Sequence, residues 1–167
     1  MSNKMKVMVI DDDQGACLFI KKILENTGEI AATTTTDPKT AMDLCLNEKP
    51  ALIIMDNVMP DIKGGQLVQL LRKNARTKKI PIIMITGKGE MVYLQEKETF
   101  EWRPNTQIVR ERGELEEQKN HPSLTEAYGV DHYLAKPVNT LKFMEIVNRI
   151  LVAHKKKEEL DEWKRHQ

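Results

Sequence analysis

Residues 7–13 read Val-Met-Val-Ile-Asp-Asp-Asp, an uninterrupted apolar run that ends on three carboxylates. Two similar runs follow, Leu-Ile-Ile-Met-Asp at 52–56 and Ile-Ile-Met-Ile-Thr at 82–86, and residues 133–137 read Tyr-Leu-Ala-Lys-Pro. Continuous apolar runs of this length are typical of strands that are buried on both faces of a parallel sheet. Because ligands bind at the carboxyl ends of such strands, the polar residues at these ends are predicted to converge on one site.

Helical patterns alternate with the apolar runs at a spacing of roughly 25 to 30 residues, as expected for strand-helix units on a parallel sheet. A further strand is predicted at residues 29–34, which makes five strands in total. The helices are marked by apolar stripes at Cys17, Ile20, Ile23 and Leu24, at Ala41, Leu44 and Cys45, at Leu67, Leu70 and Leu71, and at Leu141, Met144, Val147 and Leu151. The pattern predicts a doubly wound α/β fold.

The composition narrows the class of protein. A chain of 167 residues with 40% apolar content is about the size of one domain with a single core. Its 26 basic and 25 acidic residues leave a net charge of +1, so no overall field favours nucleic acid or an anionic membrane. Cys17 and Cys45 lack the spacing of a zinc or disulfide site, and no apolar segment is long enough to span a membrane. We therefore expect a cytoplasmic protein.

One interval breaks the regular alternation. Thr86 and Lys136 are 50 positions apart (136 − 86), whereas a helix, two loops and a strand need roughly 20 to 25. The excess predicts an insertion at about 94–124. Within it, alternation on either side of Pro104-Asn105 predicts a hairpin of residues 99–103 and 106–110.

Two questions about this interval stay open. The insertion is either a solvated loop or a docking element that uses Phe100, Trp102 and Ile108. The fourth helix falls either at 90–98 or at 123–128.

Taken in order, the strand-end motifs closely resemble the receiver domain of bacterial two-component response regulators. The resemblance covers the chain from about residue 6 to 153, outside the insertion. It implies a flavodoxin-like fold with strand order 2-1-3-4-5, so we expect a receiver domain at 1–154 and a charged helical extension or tail at 155–167. The matching motifs are Val9-Ile10-Asp11-Asp12-Asp13, Asp56-Asn57-Val58-Met59-Pro60-Asp61 with Gly64, Thr86-Gly87, and Asp131-His132-Tyr133-Leu134-Ala135-Lys136-Pro137.

The resemblance also implies a Mg²⁺ site and a phosphoacceptor. Asp56 would accept the phosphoryl group, as carboxylate nucleophiles do in other phosphate-transferring proteins. By the family's pattern, Asp12, Asp56 and the backbone carbonyl of Val58 would contact Mg²⁺ directly, and Asp11 would act through water. Several carboxylates crowded together need a cation on physical grounds as well.

Four further residues complete the implied site. Lys136 and Thr86 would contact the phosphoryl oxygens, and the bond before Pro137 would be cis. Tyr133 would change rotamer as Thr86 moves toward the phosphate. Apolar Val58 also suggests a persistent phosphoryl state, because it flanks the path of the hydrolytic water in this family.

These residues favour a signalling domain that assists its own phosphorylation and dephosphorylation rather than an enzyme with an external substrate. The implied partners are a sensor histidine kinase or phosphotransfer protein, and a second copy or an output protein at the face formed by the fourth helix, the fifth strand, the last helix and the insertion. A phosphohydrolase would need an acid at position 58, where this chain has Val58, and a dinucleotide site would need a glycine-rich turn in place of residues 11–15. The alternative that stays open is a phosphorylation-independent scaffold that acts through the insertion.

Overall fold

The computed structural model describes residues 4–87, 89–94, 99–104 and 129–167. The described elements alternate along the chain. The strands are β1 (Met5–Ile10), β2 (Ile30–Thr35), β3 (Leu52–Asp56), β4 (Ile82–Thr86), β5 (Gly89–Leu94), β6 (Thr99–Pro104) and β7 (His132–Ala135). The helices are α1 (Gln14–Glu25), α2 (Ala41–Glu48), α3 (Gly64–Lys73) and α4 (Thr140–Arg165).

Five of these strands form one parallel sheet in the order β2-β1-β3-β4-β7. Since β7 is the fifth strand of this sheet along the chain, the order is the predicted 2-1-3-4-5. The predicted flavodoxin-like fold with an insertion between its fourth and fifth strands is therefore confirmed. Strands β1 and β3 are neighbours at the centre, in a register that sets Ile10 beside Met55. Their carboxyl ends consequently lie side by side.

Both faces of the sheet are covered, which explains why its strands read as unbroken apolar runs. Val7 and Val9 pack in a core with side chains of α1 and α4, whereas Met8 and Ile10 pack in a second core with side chains of α2 and α3. This alternation follows from the two-residue period of a strand. Burial of each such side chain contributes about 1.5 to 3 kcal/mol to folding, so the strand ends are held by a large apolar core.

Strands β5 and β6 form a separate two-stranded antiparallel ribbon of residues 89–94 and 99–104. Residues 99–103 pair with residues 90–94 in this ribbon, whereas the predicted hairpin joined them to 106–110. Residues 106–110 lie outside the described residues.

The sequence predicts a fourth helix either at 90–98 or at 123–128. Residues 90–94 belong to strand β5 of the ribbon, so the first position is wrong for its described residues. The ribbon begins at Gly89, ahead of the predicted start of the insertion at 94. The alternative helix at 123–128, like most of the predicted insertion, lies outside the described residues.

The last helix extends well beyond the core. Leu151 is its final buried residue, and residues 155–167 are exposed. Asn139 begins the helix by accepting a hydrogen bond from the Lys142 backbone N–H at 3.0 Å. None of the helices in the described ranges is long and apolar enough to cross a membrane.

Candidate functional site

Two carboxylates are buried at the carboxyl edge of the central strands. Asp11 directly follows β1 and is 2% exposed, and Asp56 ends β3 and is 3% exposed. Carboxylates are rarely this buried unless a positive charge or hydrogen bonds compensate them. Their proximity follows from the topology, because β1 and β3 are parallel neighbours.

Lys136 supplies the compensating charge from the end of β7. Its Nζ donates a hydrogen bond to Asp11 Oδ2 at 2.8 Å and lies 3.1 Å from Asp56 Oδ1. The side chain of Lys136 is itself only 8% exposed. The peptide bond between Lys136 and Pro137 is cis. One ammonium group is thus shared between two buried carboxylates.

The shared ammonium group of Lys136 does not fully balance the negative charge of Asp56. Burial raises the pKa of Asp56 to about 6, Lys136 opposes this rise, and the neighbouring Asp11 adds to it. Burial also raises the pKa of Asp11, again against the influence of Lys136. For Lys136, burial by itself would lower the pKa, but the two carboxylates outweigh it and raise the pKa. With both acids ionised, the buried trio carries one net negative charge.

The two oxygens of Asp56 have different surroundings. The backbone N–H of Val58 donates to Oδ2 at 2.6 Å, which orients the carboxylate. Oδ1 is buried, and although Lys136 Nζ lies beside it, no group among the described residues gives it a directed hydrogen bond. A buried oxygen without such a bond is costly in a folded protein unless another ligand completes its surroundings.

These features fit a hard divalent cation. Magnesium prefers oxygen ligands and is commonly held by one or two carboxylates together with water and phosphate. Asp11 and Asp56 offer buried oxygens with an uncompensated charge, whereas Asp12 lies beside them on the surface. In the described part of the chain, no three His, Cys, Asp or Glu side chains converge on a common point. The donor set therefore suits an ion that keeps several of its waters.

The loop after β3 presents the surface beside Asp56. Gly64 is indispensable there, because a Cβ atom at this position would lie 2.6 Å from the backbone oxygen of Asp56. Its N–H donates to the Asn57 carbonyl at 3.0 Å and closes the loop. Buried Met59 anchors the loop, while Val58 is 46% exposed beside the carboxylate.

Thr86 and Lys136 are joined through the backbone. The N–H of Lys136 donates to the Thr86 carbonyl at 2.7 Å. Gly87 follows with a φ of +142°, and a Cβ there would lie 2.9 Å from the Cβ of Lys136. The chain thus leaves β4 in close contact with the site lysine, by a route that requires glycine.

The predicted site residues divide into three groups. Asp11, Asp56 and Lys136 meet directly, and Thr86 adjoins them through its backbone. Asp12 and Val58 lie exposed at the rim, and Tyr133 is buried in the core beneath α2 and α3.

Sequence reasoning missed the close packing of Gly64 and Gly87. For Gly87 a signal was present, because a glycine directly after the strand-end residue Thr86 indicates a close backbone approach. Cys17, which the sequence places in the apolar stripe of the first helix, is buried there. The Cys17 thiol donates to the Asp11 carbonyl at 3.3 Å, and burial raises its pKa to about 12, so it serves as a neutral packing group.

Comparisons with known proteins agree with this geometry. A family model described as the response regulator receiver domain matches residues 7–101. The response regulator Rre1 of Synechocystis is 29% identical over 89 residues, which cover 53% of this chain and 38% of that protein. A probable chemotaxis protein CheY of Rhizobium etli is 28% identical over 95 residues, which cover 57% of this chain and 74% of that protein.

Solved structures show the same fold. A CheY-like receiver domain protein from Methanospirillum hungatei has a TM-score of 0.65 at 21% identity, with 93% of this chain and 99% of that chain covered. The chain spans only a fraction of several curated relatives, 38% of Rre1 and 9% of histidine kinase P4 of Formosa agariphila. Because the family model matches more than half of the 167 residues, from the first strand-end acids onward, the chain belongs to the response regulator receiver domain family.

Proposed function

We propose that this receiver domain accepts a phosphoryl group on Asp56 from a histidine kinase or phosphotransfer protein, in a Mg²⁺-dependent reaction, and signals by a change of conformation. The observation that carries the proposal is the state of Asp56. It is a buried carboxylate, oriented by the Val58 N–H, with one oxygen beside Lys136 that lacks a directed hydrogen bond.

In the proposed transfer, a carboxylate oxygen of Asp56 forms a bond to phosphorus while the bond from phosphorus to the donor's nitrogen breaks. The electron pair of that bond leaves with the donor's imidazole. Asp56 must be ionised to act as nucleophile, and a pKa of about 6 leaves most of it ionised above neutral pH. Lys136 and the Thr86 hydroxyl would stabilise the phosphoryl oxygens by a point charge and a hydrogen bond.

Asp11, Asp12, Asp56 and the backbone carbonyl of Val58 would hold Mg²⁺. When bound, the ion supplies neutralisation of the negative charge on the transferring phosphoryl group. The fit rests on the hard oxygen donors and on the excess negative charge of the buried trio.

The signal would start at Thr86 and Tyr133. Thr86 is half-buried at the end of β4, and Tyr133 pairs with Met84 one strand away on β7. A shift of Thr86 toward the phosphoryl group would change the space available to the buried Tyr133 ring. Closely packed cores respond to such shifts by choosing between discrete arrangements, which suits a two-state switch.

Incubation with acetyl phosphate and Mg²⁺, followed by intact-mass measurement, tests the proposal. We expect a gain of one phosphoryl group in the wild type and none in Asp56→Asn. Asp61→Asn is a matched control, because Asp61 is exposed in the same loop and should leave the gain unchanged. If the folded wild type gains no mass, the phosphorylation-independent scaffold becomes the better account.

The lifetime of the phosphoryl group offers a second measurement. Val58→Asn is expected to speed dephosphorylation about fivefold, since an amide beside Asp56 can position the attacking water with about one ordinary net hydrogen bond. Val58→Ala is the matched control, because it removes apolar bulk without adding a polar group. Loss of the labelled phosphoryl group with time gives both rates, and equal rates for Val58→Asn and wild type would contradict the idea.

A further inference from the structure

The ribbon of β5 and β6 is an addition whose placement links it to the site. Only residues 87 and 88 separate Thr86 from Gly89, the first residue of the ribbon. The three residue steps from Thr86 to Gly89 span at most about 11 Å, so the start of the ribbon stays close to the end of β4. The connection passes Gly87, which lies against the side chain of Lys136. Because the connection is short, a displacement of Thr86 or Lys136 is expected to displace the start of the ribbon as well.

The strand register divides the ribbon into two unlike faces. Position 91 pairs with 102 and position 93 with 100, and strand alternation sets these four positions on one face. The sequence fills them with Met, Tyr, Phe and Trp. The opposite face has Glu90, Thr99, Glu101 and Arg103 together with Val92 and Leu94. The ribbon thus has one strongly apolar face and one more polar face.

Helix α1 lies next to the ribbon. Cα atoms of β5 come within 8 Å of Cα atoms of α1. The inner side of this helix is buried in the core, whereas Leu18 is 49% exposed and Phe19 is half-buried. Asp13 caps α1 directly beside the strand-end acids. The ribbon therefore follows the end of β4 in the chain and lies next to α1, the helix that Asp13 caps.

A two-stranded ribbon is marginally stable in water unless it packs against another element. The apolar face would gain the most from such packing, because burial of aromatic side chains dominates contact energies. We propose that the ribbon docks on α1 through the face of Met91, Tyr93, Phe100 and Trp102, and that phosphorylation of Asp56 shifts this docking through Thr86 and Gly87. The second half of the proposal rests on the proposed function.

The coupling has a simple thermodynamic form. If the phosphoryl group binds the Thr86 hydroxyl in only one position of β4, phosphorylation favours the ribbon position that is compatible with that position of β4. By linkage, a ribbon fixed on α1 then changes the stability of the phosphorylated state. The ribbon would act as the output element of this receiver, with α1 as its intramolecular partner.

Docking is tested without a phosphodonor. In the 167-residue chain, nuclear Overhauser contacts are expected between the rings of Tyr93 and Trp102 and side chains of α1. The double variant Tyr93→Thr, Trp102→Thr keeps residues that favour strands but removes the apolar face, so amide exchange in the ribbon should rise at least about tenfold. Val92→Thr, on the opposite face, is the matched control and should leave exchange unchanged.

Unchanged exchange in the main sheet would show that the double variant folds. A ribbon that stays protected in the double variant, or shows contacts to another protein and none to α1, would overturn the docking proposal.

Coupling is tested by fluorescence of Trp102 in a Trp163→Phe background, which leaves Trp102 as the single tryptophan. Addition of acetyl phosphate and Mg²⁺ should shift its emission, and the shift should be absent in Asp56→Asn. Intact mass is measured on the same samples. A gain of mass without a shift of emission would overturn the coupling and leave the proposed function standing. The absence of any gain would overturn the proposed function and the coupling with it, while the docking result stands on its own.

Discussion

Asp56→Asn is expected to raise the free energy of unfolding by about 3 kcal/mol near neutral pH, even though it removes the proposed phosphoacceptor. The folded chain holds Asp56 with a pKa of about 6, against an ordinary value of 3.8. Such a gap means that the ionised carboxylate is less stable in the fold than in the unfolded chain. A neutral amide of nearly the same shape removes this penalty and can still accept the hydrogen bond from Val58.

The effect has a characteristic dependence on pH. Because the folded-state pKa lies above the unfolded value, the folded chain binds more protons between about pH 4 and pH 6. The contribution of Asp56 to stability is therefore present at low pH and is lost as pH rises through this window. The advantage of Asp56→Asn should be small near pH 4, grow up to about pH 6 and then level off.

Urea unfolding of both proteins over this range measures the difference, in which the acids common to both cancel unless they are coupled to Asp56. Asp61→Asn, at an exposed position in the same loop, should show no such trend. A stability difference for Asp56→Asn that is constant with pH would show that the buried charge is not the cause.

Lys136→Met is expected to have the opposite effect and to lower the free energy of unfolding by about 3 to 5 kcal/mol near neutral pH. The ammonium of Lys136 lies 2.8 Å from Asp11 Oδ2 and 3.1 Å from Asp56 Oδ1. Without it, two buried carboxylates are left without a counter-charge. The loss should shrink toward acid pH as the carboxylates become protonated.

A double-mutant cycle separates this charge effect from simple loss of packing. Lys136→Met should cost clearly less in the Asp56→Asn background, because only Asp11 then remains ionised. Lys142→Met, at an exposed position of α4, is the matched control and should change stability by less than about 0.5 kcal/mol. Equal losses in the two backgrounds would show that Lys136 and Asp56 are not energetically coupled.

Much of the fold could be predicted because its signals are local. The runs at 7–10, 52–55 and 82–85 are apolar without interruption since both faces of their strands are buried. The polar residue that ends each run therefore marks the functional edge of the sheet. The pairing of β5 with β6 could not be predicted in this way, because a strand pattern in the sequence does not specify which segment the strand pairs with.

The sequence by itself determined which side chains stand at the strand ends and which family the chain belongs to, because strand period, apolar runs and motif order are properties of neighbouring residues. Only the tertiary structure decided how these side chains act on one another. The bond between Lys136 and Asp11 joins residues 125 positions apart, and the raised pKa of Asp56 depends on burial and on both of these neighbours. Electrostatic interaction depends on distance and burial in space, which spacing along the chain does not specify.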